Sequence, residues 1–412
     1  MSFMDRLPRP KAVSSTFDAL IREYFGGGST SSGVAVNSDS AMRVVTVYNC
    51  VKVLYNCISQ MPCQLMEDVK DVKNKATNHP LYKVISKRPN GWLTASELWG
   101  KAIVDVSMRG NFVAFKTMVG KNVREILPIN PDRLQEIKQN SDFSLTYKIS
   151  GPSGESAQEY PQSKIFHIRG LSLDGITGMN PIQYARECIG LGMAGERFLS
   201  NYFGKGLHPG ALIETDKILS LENRKNLGTA LREEYAGISS ANNQGLMLLD
   251  EGMKIKFPEI KLVDQQFLEL MKMTEAQICG MFGVPLILVQ AGSTPATYAS
   301  SVQFKQSFVD FTLAPIAVSF ESSIDRDLLT ESEQDRYYSK YNMGSLLRGN
   351  MAERFAAYAI GITNKFMNSN QARALEDWNP REGGDVYENP NTSVNPNTTD
   401  PGTAADQGGA QP

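Results

Sequence analysis

The spacing of apolar positions changes several times along the chain, and each change marks an element. Val44, Val47, Val51, Leu54, Tyr55 and Ile58 recur every three to four residues. This predicts a helix from about Ala41 to Gln60, capped by Ser38 or Ser40 and ended at Met61-Pro62. A second helix, about Thr94 to Arg109, follows the turn Pro89-Asn90-Gly91. The middle then becomes strand-like over 112–118, 124–129, 145–149 and 165–168, with turns at Gly120, Pro131-Asp132 and Gly151-Pro152-Ser153-Gly154. Four or five short strands of this kind predict a small barrel or sheet. Helical spacing returns after Asn180-Pro181, with Asn180 as the cap and Pro181 in the first turn, and runs to about Phe203. Gly190, Gly192 and Gly195 interrupt it, each at about 1 kcal/mol relative to alanine. A helix that carries three glycines predicts a neighbour packed very closely.

Residues 207–261 read as a compact α/β unit between two helices. A strand at Ala211-Leu212-Ile213 precedes a helix, capped by Ser220, from Leu221 to Tyr235, and strands at 246–249 and 253–256 flank Asp250-Glu251-Gly252. An amphipathic helix from Val263 to Met281 then runs into Phe282-Gly283-Val284-Pro285. A loop of small residues at 290–297 leads to a long helix, about Tyr298 to Leu329, with a kink expected at Pro315. Two further helices within 346–377 are separated at Gly361. At the ends, Gly26-Gly27-Gly28-Ser29-Thr30-Ser31-Ser32-Gly33 reads as a linker, making residues 1–33 a mobile arm, and the tail beyond Arg381, with no further Lys or Arg, reads as disordered. The fold class expected is α+β.

Length and composition narrow this little. The 412 residues suffice for two or three domains, and 41% hydrophobic with 21% charged residues is ordinary for a folded protein. No apolar stretch approaches the roughly 20 residues of a membrane span, and the first ten residues lack the apolar core of a secretory signal. Five cysteines at no metal-like spacing read as buried reduced thiols of a reducing compartment, with Cys50 and Cys57 on one helix face. The net charge of −2 lacks the basic footprint of a protein that grips a phosphate backbone. It does not oppose a conduit through which DNA slides.

Chemistry is sparse. His79, His167 and His208 lie far apart without metal-ligand neighbours, and no Walker lysine, nucleophile elbow or paired-cysteine site appears. Asp174 and Asp264 read as caps at helix starts. Neither a cofactor nor a metal is expected. The one enzymatic alternative is a dispersed site built from His167, Arg169 and Asp174. The loop 290–297 is uncharged and pliable, and the helix at 221–235 carries mixed charges suited to a solvated or docking face.

An ordered set of short motifs gives the chain a family likeness. His79-Pro80-Leu81-Tyr82, Arg88-Pro89-Asn90, Arg109-Gly110-Asn111, Leu127-Pro128-Ile129-Asn130-Pro131, Phe166-His167-Ile168-Arg169-Gly170 and Asp174-Gly175-Ile176-Thr177-Gly178 come first. Asp264-Gln265-Gln266-Phe267, Phe282-Gly283-Val284-Pro285, Thr297-Tyr298, Leu346-Leu347-Arg348-Gly349 and Gly383-Gly384-Asp385 follow. Over roughly residues 40–385 this order resembles the portal (head-to-tail connector) proteins of long-tailed, lambdoid-type double-stranded DNA bacteriophages. The chain departs from that pattern at Leu286, at Ala299-Ser300 and at Asn370-Gln371-Ala372-Arg373, which affects loop and upper-helix detail.

The resemblance implies a ring of about twelve subunits at one capsid vertex, assembled in the host cytoplasm. It implies a wing (34–180 and 298–335), two stem helices (181–206 and 262–283), a clip (207–261), a channel loop (284–297) and a crown (336–380), with the tail at 381–412. Gln290, Gly292, Ser293, Thr294 and Thr297 would face DNA, and Gln266, Lys272 and Glu275 would line the stem channel. Glu222, Arg224, Lys225, Arg232 and Glu233 would dock partners on the clip. The implied partners are double-stranded DNA bound without sequence preference, the terminase large subunit, the major capsid protein or scaffold, and a head-completion adaptor. A capsid adaptor without a channel is the remaining non-enzymatic alternative.

Overall fold

The structure is a computed structural model and describes residues 30–69, 72–152, 155–205, 212–214, 254–256, 265–290, 298–346, 351–376 and 378–387. The chain divides into two compact units, Met1–Asn342 and Met343–Pro412.

The first unit opens with a single helical turn, Ser38–Ala41, then helix α1, Val45–Gln60. The cap is not one of the expected serines. Asn37 accepts from the Ser40 backbone N–H, and Ser40 Oγ accepts from the Asn37 N–H, a reciprocal box that closes only this first turn. Helix α1 buries Val47, Val51, Leu54 and Ile58, the face its periodicity predicts. Helices α2, Pro80–Ser86, and α3, Ala95–Arg109, follow, the latter capped by Thr94 and Glu97 and stopped at left-handed Gly110. Trp99 of α3 is fully buried, gives its indole N–H to the Ile85 carbonyl at 3.0 Å, and meets Phe166, Phe320 and Tyr341. Burying so large a ring with its one polar atom satisfied makes it the centre of the helical core.

The β-region is larger and more divided than the expected single barrel or sheet. Strands β1 (Cys63–Val69) and β2 (Val72–Lys75) are joined by a distant strand 337–341. Strands β3 (Asn111–Val119), β4 (Asn122–Pro128), β5 (Leu134–Gln139), β6 (Leu145–Ile149), β7 (Gln158–Pro161) and β8 (Ile165–Arg169) form two antiparallel sheets, ordered β4-β3-β8 and β5-β6-β7. One cluster, Val113, Ile129, Ile137, Leu145, Tyr147, Ile149 and Ile165, draws on both. The short pair β9 (Leu212–Glu214) and β10 (Lys254–Lys256) is antiparallel.

Asn180 caps Pro181–Tyr184 through its side-chain oxygen, and after Ala185 the chain continues as α4, Arg186–Lys205. Helix α5 is Gln265–Phe282. The long helix comes in two arms, α6 (Tyr298–Phe308) and α7 (Ala314–Leu328), joined by a five-residue π turn, Val309–Leu313. Pro315 lacks the N–H that would bond to residue 311, and its ring would press on that carbonyl. Widening the turn just before it relieves both problems, so the expected kink is a π turn. Strand β11, Tyr337–Tyr341, pairs with β1 in register Cys63 to Tyr341. It therefore belongs to the first unit, which ends at Asn342.

In the second unit, α8 (Met351–Thr363) runs through Gly361 without a break, contrary to the expected separation there. The helix ends beyond it, where Lys365 takes φ +63° and Phe366 and Met367 give their N–H groups to the Gly361 carbonyl. Helix α9, Ser369–Leu375, is capped by Asn368. Buried Asn370 donates to the Arg381 carbonyl and the Asp385 carboxylate and accepts from the Arg381 N–H. Residues 381–387 are thereby held against α9, a correction to a tail expected to be disordered from 381.

Candidate functional site: the paired helices and the base of the loop

Helices α4 and α5 approach closely where side chains are missing. A Cβ on Gly192 would stand 3.5 Å from Thr274 Cγ2, and one on Gly195 only 2.7 Å from Met271 Sδ. Gly190 faces a different neighbour, with a Cβ there 2.6 Å from Thr30 Cγ2. Two of the three glycines thus serve helix–helix packing, and the third receives the segment that precedes the single turn 38–41. Buried Thr274 returns its hydroxyl to the Leu270 carbonyl at 2.9 Å, so it leaves no open donor in the seam.

The C-terminal end of α5 carries the loop. Gly283 takes φ +64°, and the Val284 N–H closes on the Cys279 carbonyl at 3.0 Å. Pro285 then starts a short helix, Leu286–Val289. Gln290, the last described residue before the loop, donates its side-chain amide to the Glu275 carboxylate. On the far side of the loop, Thr312 in the π turn donates its hydroxyl to the Gly283 carbonyl at 2.6 Å. The near end of 291–297 is therefore tied to α5, and the π turn to the residue just past its end.

The sequence-derived candidates divide accordingly. Gln290 and Glu275 come together, and Glu275 is half-buried with its carboxylate engaged rather than open. Lys272 is exposed. Burial and the nearby negative charge of Glu275 raise the pKa of Glu196 on α4. Gln266 lies in the first turn of α5, with only its backbone described. Gly292, Ser293, Thr294, Thr297, Glu222, Arg224, Lys225, Arg232, Glu233, Asp264 and His208 lie outside the described residues.

The groups of the enzymatic alternative are structural. His167 is buried, with Nδ1 at 3.1 Å from Tyr147 OH and Nε2 at 3.0 Å from Asn111 Oδ1. Asn111 Oδ1 also accepts from the Gly178 N–H, and its amide donates to the Gly178 carbonyl, which fixes its orientation. Nε2 therefore carries the proton and Nδ1 accepts from the tyrosine. Burial, with the charges of Arg169 and Arg326, pushes the His167 pKa down to about 3. The ring is neutral and has both nitrogens occupied. Asp174 is not at a helix start. Its Oδ1 accepts from the Ile176 and Thr177 N–H groups and from Ser172 Oγ, forming a turn between β8 and the Asn180 cap.

Sequence reasoning missed a latch between the long helix and the sheet. Arg326 donates to the His167 carbonyl at 2.7 Å, Asp327 accepts the His167 N–H at 3.0 Å, and Lys116 donates to the Asp327 carbonyl at 2.5 Å. The adjacent Asp327 carboxylate, first through its hydrogen bonds, raises the Arg326 pKa. The pairing of Glu275 with Gln290 and of Thr312 with Gly283 had no short-range signature either. Among the described residues no cluster of His, Cys, Asp and Glu could hold a metal ion, and no helix is long and apolar enough to cross a membrane.

Comparison with known proteins agrees with this architecture. The phage portal protein family matches residues 45–377. The portal protein of Enterobacteria phage HK97 is 25% identical over 392 residues, covering 92% of this chain and 88% of that protein. A probable portal protein of Streptomyces phage phiC31 is also 25% identical, covering 88% and 80%. Among solved structures, an HK97 family phage portal protein from Corynebacterium diphtheriae superposes with a TM-score of 0.55 at 15% identity, over 74% of this chain and 95% of that one. A chain from the neck of a native gene transfer agent particle, computed with C12 symmetry, gives 0.52 at 18% identity over 89% and 100%. A match that spans residues 45–377, over a fold that agrees with it, leads to one conclusion: the chain belongs to the phage portal protein family.

Proposed function

We propose that this phage portal protein works as a ring of about twelve copies at one vertex of the virion, with α4 and α5 as its stem and residues 290–297 as the loop that touches passing DNA. The observation that carries the reading is the tie at the start of that loop, where Gln290 donates to Glu275 of α5. An uncharged loop on a fixed base contacts a polyanion without gripping it, and the net charge of −2 keeps the whole chain from acting as a counterion trap. A ring subunit has two different faces to cover. In support, the long helix leaves Phe304, Phe311 and Val318 exposed at 48%, 80% and 53%.

In this reading residues 34–180 with 298–335 form the wing and 207–261 the clip, where Glu222, Arg224, Lys225, Arg232 and Glu233 meet the terminase large subunit and later the head-completion adaptor. The capsid protein or scaffold contacts the outer rim, and assembly takes place in the host cytoplasm. Gln266 and Lys272 face the channel, whereas Glu275 holds the loop. Negative-stain imaging beside native mass measurement tests the assembly. Rings of about twelve with a bore of about 20 Å or more are expected, and monomers or dimers that persist across salt and concentration would overturn it. Gly/Ser replacement of 290–297 in intact rings tests the loop: packaging or DNA retention should fall, and unchanged values would remove its assigned role.

A further inference from the structure

Two thiols far apart in sequence meet where α1 crosses the last turn of α5. Cys50 is fully buried, Cys279 is 2% exposed, and their Sγ atoms lie 3.7 Å apart across a sequence separation of 229. All five cysteines are free. Cys57 and Cys188 are half-buried, and Cys63 is buried in the aromatic core beside Tyr341. From the geometry we propose that Cys50 and Cys279 are an oxidation site, closing to a disulfide that staples α1 to the loop-bearing end of α5.

A disulfide has an S–S length of about 2.05 Å, so the sulfurs must approach by roughly 1.6 Å through side-chain rotation and a small helix shift. The Cys50 S–H donates to Cys279, which lowers the Cys279 pKa, while the same contact and burial raise that of Cys50. Cys279, the acceptor of that contact, is assigned as the attacking sulfur. With hydrogen peroxide as the two-electron oxidant, Cys279 takes one oxygen to become a sulfenic acid and hydroxide leaves. The Cys50 sulfur then displaces the sulfenic oxygen, which departs as water with the thiol proton. The sum is two thiols and one peroxide to one disulfide and two waters.

The bond would lie one turn before Gly283, since the Cys279 carbonyl caps Val284. It would therefore stop the loop base from sliding against α1. A natural occasion for oxidation, release of particles from a reducing cytoplasm, rests on the virion location proposed above; the thiol chemistry does not, and it is tested on purified protein.

The full chain, purified reduced, is titrated with hydrogen peroxide, alkylated and digested without reductant for peptide mass spectrometry, with Tm measured on the same samples. A Cys50–Cys279 peptide should be the principal crosslink, with Tm higher by about 3 °C or more and restored by dithiothreitol. Cys279→Ser should abolish both effects, and Cys57→Ser neither. If Cys279→Ser does not fold, the linked peptide and its reversible Tm shift in the unaltered chain decide alone. Sulfinic acid on Cys279 without the link, another cysteine pair at equal yield, or a linked form with unchanged or lower Tm would each overturn the proposal.

Discussion

The buried imidazole of His167 makes the stability of the first unit depend on pH in a calculable direction. Its pKa falls from 6.5 to about 3 on folding, because burial and two nearby guanidinium groups oppose a second proton. For a base held below its unfolded value, the stabilising contribution is complete above the unfolded pKa. It is lost as pH falls from about 6.5 toward 3. A shift of about 3.5 units at 1.36 kcal/mol each sets a limit of about 5 kcal/mol, of which about 2 is lost by pH 5. Asp105 acts in the opposite sense. Burial raises its pKa to about 6 despite the Lys101 partner, so protonation there returns about 1 kcal/mol by pH 5. Subtracting a variant removes such background terms. Urea unfolding of the chain and of His167→Gln, at about pH 7.5 and pH 5, should show an extra loss of about 2 kcal/mol at the lower pH only when the histidine is present. An identical pH dependence in the two proteins would refute the neutral, saturated imidazole. So would nitrogen NMR showing His167 protonated at pH 6.

Other substitutions test the remaining geometry. Gly178→Ala places a Cβ 1.9 Å from the Gly110 carbonyl oxygen, a backbone collision; a loss of about 3 kcal/mol or more is expected by denaturant titration, or no soluble protein. Thr312→Val removes the bond to the Gly283 carbonyl and should cost about 1 kcal/mol, with faster hydrogen exchange at 283–290 as the local readout. Asn370→Ala strips three hydrogen bonds that hold residues 381–387, so limited trypsin digestion should cut after Arg381 at least tenfold faster.

How much of this was legible beforehand follows from the range of each interaction. The helix at Val45–Gln60 and the strands at 111–119 and 165–169 carry their own periodicity, and Asn180-Pro181 is a local cap, so all could be read from the chain. Strand Tyr337–Tyr341 could not, because it becomes a strand by pairing with Cys63–Glu67, far earlier in the sequence. The Ser38–Ser40 capping assignment failed because the helix starts only at Val45, after Val44, while Asn37 and Ser40 close a separate turn ahead of it. Gly361 was read as a break on helix propensity. The helix runs through it to Thr363, and the turn beyond closes the end by returning two N–H groups to the Gly361 carbonyl. At the loop base the residues were named but their pairing was not, since Glu275 and Gln290 meet only once the chain turns at Gly283 and Pro285.

The wide turn at Val309–Leu313 also has a geometric consequence for the chain that leaves the loop. A π turn holds one residue more than the regular turn it replaces. If that extra residue were passed along into Tyr298–Phe308, the arm would rotate by about 100° about its axis and advance by about 1.5 Å. Ala314–Leu328, latched to the sheet through Arg326 and Asp327, would stay where it is. Such a shift would act as a screw, with its fixed end at the sheet and its turning end at Tyr298, where the loop ends.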